Sequence, residues 1–297
     1  MATISAQQVK ELRERTGAGM MECKTVLTES NGDMEAAIDL LRKRGLAKAD
    51  KKAGRIAAEG LVVTAASPDQ KRAVLLEINC ETDFVAKNED FVRLAHDCAR
   101  LAAEQGIHDL ETLLASPAAE GSMEERRKVL VSKLGENIGL RRLRHLQVNE
   151  GVVGAYVHGG RIGVLVALTG AAATPELGRD VAMHVAAARP EVIKAEEISP
   201  ERLAKEKEIL LAQAADSGKS VEIIEKMISG RLSKLLNEIA LMGQPFVKDP
   251  DRSVGQLIQA FPGVDVAEFV RFEVGEGIEK APAADFATEV MAQVRGA

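Results

Sequence analysis

The chain has 297 residues, 46% hydrophobic and 28% charged, enough for packed cores beneath a charged surface and suggesting about two domains of ~150 residues. A net charge of -6 argues against a chain built mainly to grip phosphate backbones, and 3% aromatic residues with no Trp and a single Tyr exclude a base-stacking platform for single strands. No apolar run reaches the ~18 residues of a membrane span and the N-terminus lacks a signal-peptide core, while Cys23, Cys80 and Cys98, odd in number and widely spaced, read as reduced, buried thiols of a cytoplasmic protein.

The first ~45 residues read as three short helices. Ser5 caps the first, with Val9 and Leu12 in its buried stripe, and Gly17 and Gly19 punctuate its end. Met20 to Thr28 makes the second. Asp33 caps the third, where Met34, Ala37, Ile38 and Leu41 fall on one face and Gly45 ends the run. Met20 and Met21 point about 100° apart on a helix, so the pair is either one buried and one surface methionine or a flexible apolar contact for a partner. Residues 42–55 hold seven basic residues against Asp50 alone and read as a solvated linker or, alternatively, as a grip for RNA or an acidic surface. A domain boundary falls near residue 55.

The centre of the chain carries a weak internal repeat. Glu59-Gly60-Leu61-Val62 is echoed by Glu150-Gly151-Val152-Val153, and Arg72 to Leu76 by Arg161 to Leu165. Each copy reads as a β-hairpin followed by an Ala-rich helix, around His96 or His184, which predicts an α+β core of two related subdomains. Residues 106–135, broken at Pro117 and Gly121, are expected to form a surface loop or helix. Ser199-Pro200 opens a charged helix, Ser217-Gly218 breaks it, and Ser220 caps a second one, giving a helical hairpin that projects as a coiled-coil arm. Ile239 to Leu241 and Phe269 to Val274 are expected to return as strands. Residues 278–297, with Phe286, Val290 and Val294 at helical spacing, predict a C-terminal helix.

The stretch Glu81 to Lys87 (ETDFVAK) joins a buried strand, Val74 to Cys80, to a helix capped by Asn88 or Asp90. Phe84 sits at the tip of that connection, flanked by Asp83 and Lys87. Its ring either folds back under its own helix or stands out as a wedge for a partner's pocket. Recognisable reaction chemistry is missing elsewhere. Ser217-Gly218-Lys219-Ser220 ends like a phosphate loop but has Gln213 where the first glycine belongs; two Gly-x-Gly starts lack their third glycine; no Gly-x-Ser-x-Gly elbow or paired metal spacing occurs. His184, within an Ala/Val/Met helix, reads as a core histidine.

Thr82-Asp83-Phe84-Val85-Ala86-Lys87 resembles the signature of the bacterial elongation factor Ts family, the nucleotide exchange factors of elongation factor Tu. The likeness extends to KELRERTGAGMMECK at 10–24, GENIGLRRL at 135–143, HGGRIGVLV at 158–166, AMHVAAARPE at 182–191, GQPFV at 243–247 and RFEVGEGIEK at 271–280, in family order along the whole chain. The resemblance implies a ubiquitin-associated-like N-terminal module (1–54) and a core of two subdomains (55–149, then 150–198 with 237–275). It also implies an inserted coiled-coil hairpin (199–236) and a C-terminal module (276–297). Its partner would be elongation factor Tu, GDP-bound and nucleotide-free, with a homodimer or a 2:2 complex as the assembly, and with no direct nucleic acid, no membrane, no cofactor and no enzymatic reaction. Thr82, Asp83, Phe84 and Val85 would intrude and dislodge the partner's Mg²⁺; Met20, Met21, Lys24 and His158 would contact the GTPase. Two departures stand out: Glu81 where glutamine is common, placing a negative charge beside the wedge, and Thr25-Val26 in place of a Lys-Ala-like pair. The rival from another class is a ribosome- or RNA-associated module using the basic stretch 42–55.

Overall fold

A computed structural model describes residues 4–119, 121–214 and 221–279. Three helices open the chain: α1 (Ala6–Thr16), α2 (Met20–Glu29) and α3 (Met34–Lys52). Ser5 and Gln8 form a reciprocal capping box on α1, Gly17 ends it in the left-handed region (φ 69°), and the Asp33 carboxylate caps α3 through the Ala36 amide. Val9, Leu12, Cys23, Val26, Leu27, Ala37 and Leu41 close a small core of their own.

The third helix does not stop at Gly45. A glycine inside a helix costs only about 1 kcal/mol relative to alanine, and here its bare backbone lies against Ser132 of a later helix, where a Cβ would sit 3.3 Å from the serine side chain. The helix therefore runs on to Lys52, and residues 42–52 are helix rather than solvated linker. Several of their charges are engaged: Arg44 with Glu29, Asp50 with Lys128 at 2.8 Å, and the Lys52 ammonium donating to the Gly135 carbonyl.

Two three-stranded antiparallel sheets follow. The first is ordered β1 (Glu59–Ala66), β2 (Arg72–Cys80), then β3 (Gly139–Gln147), which returns after the short α4 (Asp83–Ala86), α5 (Glu89–Gln105), α6 (Leu110–Ala115) and α7 (Met123–Leu134). The second is ordered β4 (Gly151–His158), β5 (Ile162–Thr169) and, as its third strand, β8 near the chain's end, with α8 (Pro175–Ala188) on its outer face. Period-2 alternation separates the cores. Val74, Leu76 and Ile78 face α5 and α7, whereas Ala73, Leu75 and Leu146 meet Val153, Leu165, Ala167 and Phe272 between the sheets. The result is helix, sheet, sheet, helix, and β2 is buried on both faces.

The internal repeat has a geometric counterpart. Gly60 opposite Asn79 and Gly151 opposite Thr169 both take positive φ (143° and 117°), and a Cβ on either would lie 2.1 or 2.0 Å from a carbonyl oxygen of the neighbouring strand. Only glycine fits at these equivalent bends.

Two further expectations need correction. Residues 106–135 are not a surface excursion: Leu113, Met123, Leu130 and Val131 belong to the first core, because Pro117 and Ser122 pair in a bridge that folds α7 back onto it. Strand β3 is an element the sequence reading does not contain, because its arginines break the apolar alternation that marks a strand. Ile239 to Leu241 are not a strand; helix α10 runs through Ile239, and only Ala240 makes a parallel bridge, to Val192.

Two helices, α9 (Pro200–Ala214) and α10 (Val221–Ile239), contact each other and leave Ile209, Leu211 and Ile223 exposed. The described residues close with β6 (Pro245–Phe246), β7 (Asp249–Ser253), α11 (Val254–Gln259) and β8 (Asp265–Glu273). The expected break and cap at Ser217, Gly218 and Ser220, and the C-terminal helix with Phe286, Val290 and Val294, lie outside the described residues. Among the described residues no helix is long and apolar enough to cross a membrane.

Candidate partner-binding site

Strand β2 ends at Cys80, and the chain turns at once into α4. Thr82 is the N-cap: its Oγ1 accepts from the Val85 amide at 3.4 Å and donates to Glu136 Oε1 at 2.6 Å. The other Glu136 oxygen accepts from two successive backbone amides, Glu81 at 3.1 Å and Thr82 at 3.0 Å. One carboxylate thus receives three donors from the start of the turn. The Cys80 thiol also donates to the Thr82 carbonyl at 3.1 Å; burial, reinforced by Glu136 and Glu59, pushes that thiol up to about 12, so it stays neutral.

The four residues of the turn divide by direction. Val85 and Ala86 point inward, into the core beneath α5. Phe84 points out and is 81% exposed, the most exposed large apolar side chain among the described residues. Asp83 is exposed and pairs with Lys87 at 2.7 Å, one helical turn on. Such a pair in water holds its partners by ~0.3–0.5 kcal/mol, so it yields readily to a competing charge. Val85 therefore acts as the turn's anchor rather than presenting a side chain to solvent, and of the two readings of Phe84 the outward one is the structure's. Phe91, at the start of α5, is by contrast fully buried in the first core.

Glu81 does not face the tip. Its carboxylate accepts from the Asn137 amide at 2.6 Å and lies 3.5 Å from Arg55, so the extra negative charge is spent beneath the turn. Asn137 in turn donates from Nδ2 to the Ala53 and Arg55 carbonyls. Neither Glu136 nor Asn137 was identified from the sequence as a site residue. They follow a helix-ending glycine, in no periodic pattern, and their partners lie more than fifty positions away.

His158 ends β4 at a turn of two left-handed glycines, Gly159 and Gly160 (φ 56° and 70°), and its Nδ1 meets the Tyr156 hydroxyl at 3.2 Å. That turn is fastened to β1: Gly160 accepts from the Val62 amide at 2.7 Å, and Arg161 pairs with Glu59 at 2.7 Å. Glu59 is the register partner of Cys80, two residues before Thr82. The His158 turn and the Phe84 turn therefore share one end of the stacked sheets. His184 is a core histidine, as expected. Its Nδ1 accepts from the Val247 amide and its Nε2 donates to Gln244, which fixes the tautomer, and burial holds it below the ordinary histidine range.

On the N-terminal module Met20 and Met21 are both exposed, 56% and 74%, so neither is buried; Lys24 is exposed on the same helix. The module is not remote from the turn. Lys133 lays its stem against Gly17, just before α2, and its ammonium pairs with Asp90, at the start of α5, at 2.7 Å. The arrangement offers apolar side chains on a rigid frame without any metal-ligating cluster among the described residues.

Comparison with known proteins decides the family. The family model described as "Elongation factor TS" matches residues 81–276. The protein named Elongation factor Ts of Acidithiobacillus ferrooxidans is 80% identical over 293 residues, 99% of both chains. Its namesakes of Thioalkalivibrio sulfidiphilus (56% over 296 residues, 99% of this chain and all of that one) and Methylococcus capsulatus (54% over 294 residues, 99% of each) are similar throughout. The chain belongs to the elongation factor Ts family. The matched region of the family model opens at Glu81, so it takes in the Phe84 turn and the Glu136 loop together.

Proposed function

We propose that the chain is the guanine nucleotide exchange factor of elongation factor Tu, and that the Phe84 turn does the work of release. The observation that carries this reading is the exposure of Phe84 on a four-residue helix whose other apolar residues are buried and whose N-cap, Thr82, is bound by Glu136. A GTPase holds GDP through phosphate-loop amides and a Mg²⁺ ion bridging phosphate oxygens and protein. Phe84 enters as a wedge and the Asp83 carboxylate, released from Lys87, competes in the polar network around the ion. GDP affinity falls, and by reciprocity nucleotide entry weakens the factor's own binding by the same coupling.

Magnitudes favour a division of labour. A thousandfold loss of nucleotide affinity is about 4 kcal/mol. Burial of one phenylalanine yields about 1.5–3 kcal/mol. The remaining binding energy comes from other surfaces: Met20, Met21 and Lys24 on the N-terminal module, and His158 at the end of the sheets. The arm, with exposed Ile209, Leu211 and Ile223, serves self-association or a further partner contact, so that the complex forms as a homodimer or a 2:2 assembly. The division into modules at 1–54, 55–149, 150–198 with 237–275, 199–236 and 276–297 follows the same logic.

Stopped-flow release of fluorescent GDP at varied factor concentration tests the reading. Phe84→Ala should lower the maximal release rate more than it raises the half-saturating concentration, because only contacts that differ between the nucleotide-bound and distorted states change the coupling. Release at the wild-type maximal rate would remove Phe84 from the mechanism. The RNA-binding rival loses its grip where Arg44 and Lys52 are engaged within the fold; salt-sensitive RNA binding with no effect on release would restore it.

A further inference from the structure

The two backbone amides that open the Phe84 turn are held by a single side chain. Glu136 accepts three hydrogen bonds at 2.6–3.1 Å, all from Glu81 and Thr82, and no other described side chain accepts from those two amides. Hydrogen bonds to a carboxylate are about twice as strong as neutral ones. Its two oxygens separate the tasks: Oε2 gathers both amides, fixing the direction in which the backbone leaves β2, and Oε1 orients the Thr82 hydroxyl so that its lone pair faces the Val85 amide. Thr82 is thereby set as the N-cap that starts α4 two residues before Phe84.

The loop that carries Glu136 is itself fixed on its far side. Lys52 donates to the Gly135 carbonyl, Asn137 donates to the Ala53 and Arg55 carbonyls, and the Asn137 amide returns a bond to Glu81. Ile138, next along, is fully buried. A four-residue helix has little intrinsic stability, since nucleation fixes several residues for very few hydrogen bonds. Burial of Val85 and Ala86 holds its inner side, but burial is non-directional and does not by itself aim an outward ring.

We infer that Glu136 is a positioning residue for exchange: it pre-orders the Thr82–Phe84 turn in the free factor so that Phe84 meets the GTPase already aimed. This rests on the assignment of Phe84 as the wedge. A wedge ordered only on binding would draw the ordering cost out of the energy available for distortion. Glu136 touches neither partner nor nucleotide in this account; it acts through Thr82.

The test uses the full-length factor and nucleotide-loaded elongation factor Tu, with Glu136→Ala, Glu136→Gln, Phe84→Ala and the Glu136→Ala/Phe84→Ala pair. Glutamine can still accept both amides at its oxygen and donate to the Thr82 hydroxyl, so Glu136→Gln should keep the maximal GDP release rate within about twofold. Glu136→Ala should lower that rate roughly tenfold, equivalent to about 1.4 kcal/mol, with a change under about threefold in half-saturation. In the Phe84→Ala background it should add nothing further. Amide hydrogen exchange of the free factor at residues 81–86 should accelerate in Glu136→Ala and not in Phe84→Ala.

A wild-type maximal rate in Glu136→Ala, a loss confined to half-saturation, or full additivity with Phe84→Ala would overturn the proposal. So would unchanged exchange protection, whatever Phe84→Ala does. If Phe84→Ala releases GDP normally while Glu136→Ala deprotects the turn, the wedge assignment fails and the clamp survives only as a structural contact. A Glu136→Ala protein that melts early is replaced by Thr82→Val, which removes the hydroxyl, and with it both the Glu136 Oε1 link and the cap on the Val85 amide, while the two backbone amides keep Glu136 Oε2; it should show a rate loss of the same kind, and a wild-type rate there overturns the proposal equally.

Discussion

Glu77 and Arg142, register partners on β2 and β3, meet at 2.6 Å where the Glu77 side chain has no exposure at all. A β-bulge at this point shifts the register between Glu77 and Ile78, so that the adjacent Arg141 reaches the same carboxylate at 3.1 Å. Asn79 and the Gly275 amide complete the shell, while Arg142 lies over the Phe272 ring at 4.2 Å and donates to the Glu273 carbonyl. Two residues of the first sheet thus hold the exit of β8 from the second. Burial pushes the Glu77 carboxyl up, but the Gly275 amide, Asn79 and Arg142 together outweigh it and hold the group below the usual carboxylate range.

Removal of that carboxylate takes away the buried acceptor that the two guanidinium groups share. Glu77→Ala should cost about 3–5 kcal/mol, the range for breaking a buried pair, read as a lower urea midpoint. A folded pKa below the unfolded value means the stabilisation is present above about pH 4.3 and is lost as pH falls through the folded value. Wild-type stability should therefore drop in that acid window more steeply than that of Glu77→Gln.

A different window belongs to the histidines. His145 has neither ring nitrogen hydrogen-bonded, and it packs edge-on against His108 at 4.3 Å. Burial first, then His108 and Arg72, hold its pKa below the ordinary value, and burial does the same to His184. The neutral forms are favoured by folding, so stability is full above the unfolded pKa of about 6.5 and falls as pH drops from there toward the folded values. Melting temperatures should decline from pH 7.5 to 5.5. His145→Phe, an apolar ring of similar shape, should make that decline shallower.

Helix α8 lies on β4 backbone to backbone. A Cβ on Gly154 would fall 2.1 Å from the Gly178 carbonyl carbon, with no flexible side chain able to give way. Gly154→Ala should cost more than the ~1–3 kcal/mol of ordinary overpacking, with a chemical denaturation midpoint as the measurement. Gly106→Ala makes no comparable clash and should show only the smaller strain of its left-handed φ of 66°.

Exposed methionines allow binding to be separated from stability. Met20→Ser with Met21→Ser leaves the module core of Leu12, Val26 and Leu27 intact, so stability should change by no more than about 0.5 kcal/mol each. Under the exchange reading, the half-saturating factor concentration in GDP release should rise severalfold while the maximal rate holds. A fall in the maximal rate would place the module in the distortion step.

Local signals carry far in this chain. Ser5, Asp33, Asn88 and the Ser199-Pro200 pair mark helix starts because capping is settled within a few residues. The two β-hairpins and their glycines repeat because both solve the same bend, and Phe84 is legible as a tip residue because a strand and a capped helix adjoin it. Three things were settled by tertiary contact alone. Gly45 reads as a stop, yet the helix continues because Ser132 packs against its bare backbone. The arginine-rich β3 gives no alternating apolar pattern, since its charges are absorbed by Glu77 and by Glu268 across the second sheet. The direction of Phe84 is chosen by Glu136, fifty-four positions from Thr82. Capping and periodicity are short-range properties of the chain, whereas the pairing of a buried carboxylate with distant donors exists only once the sheets have closed.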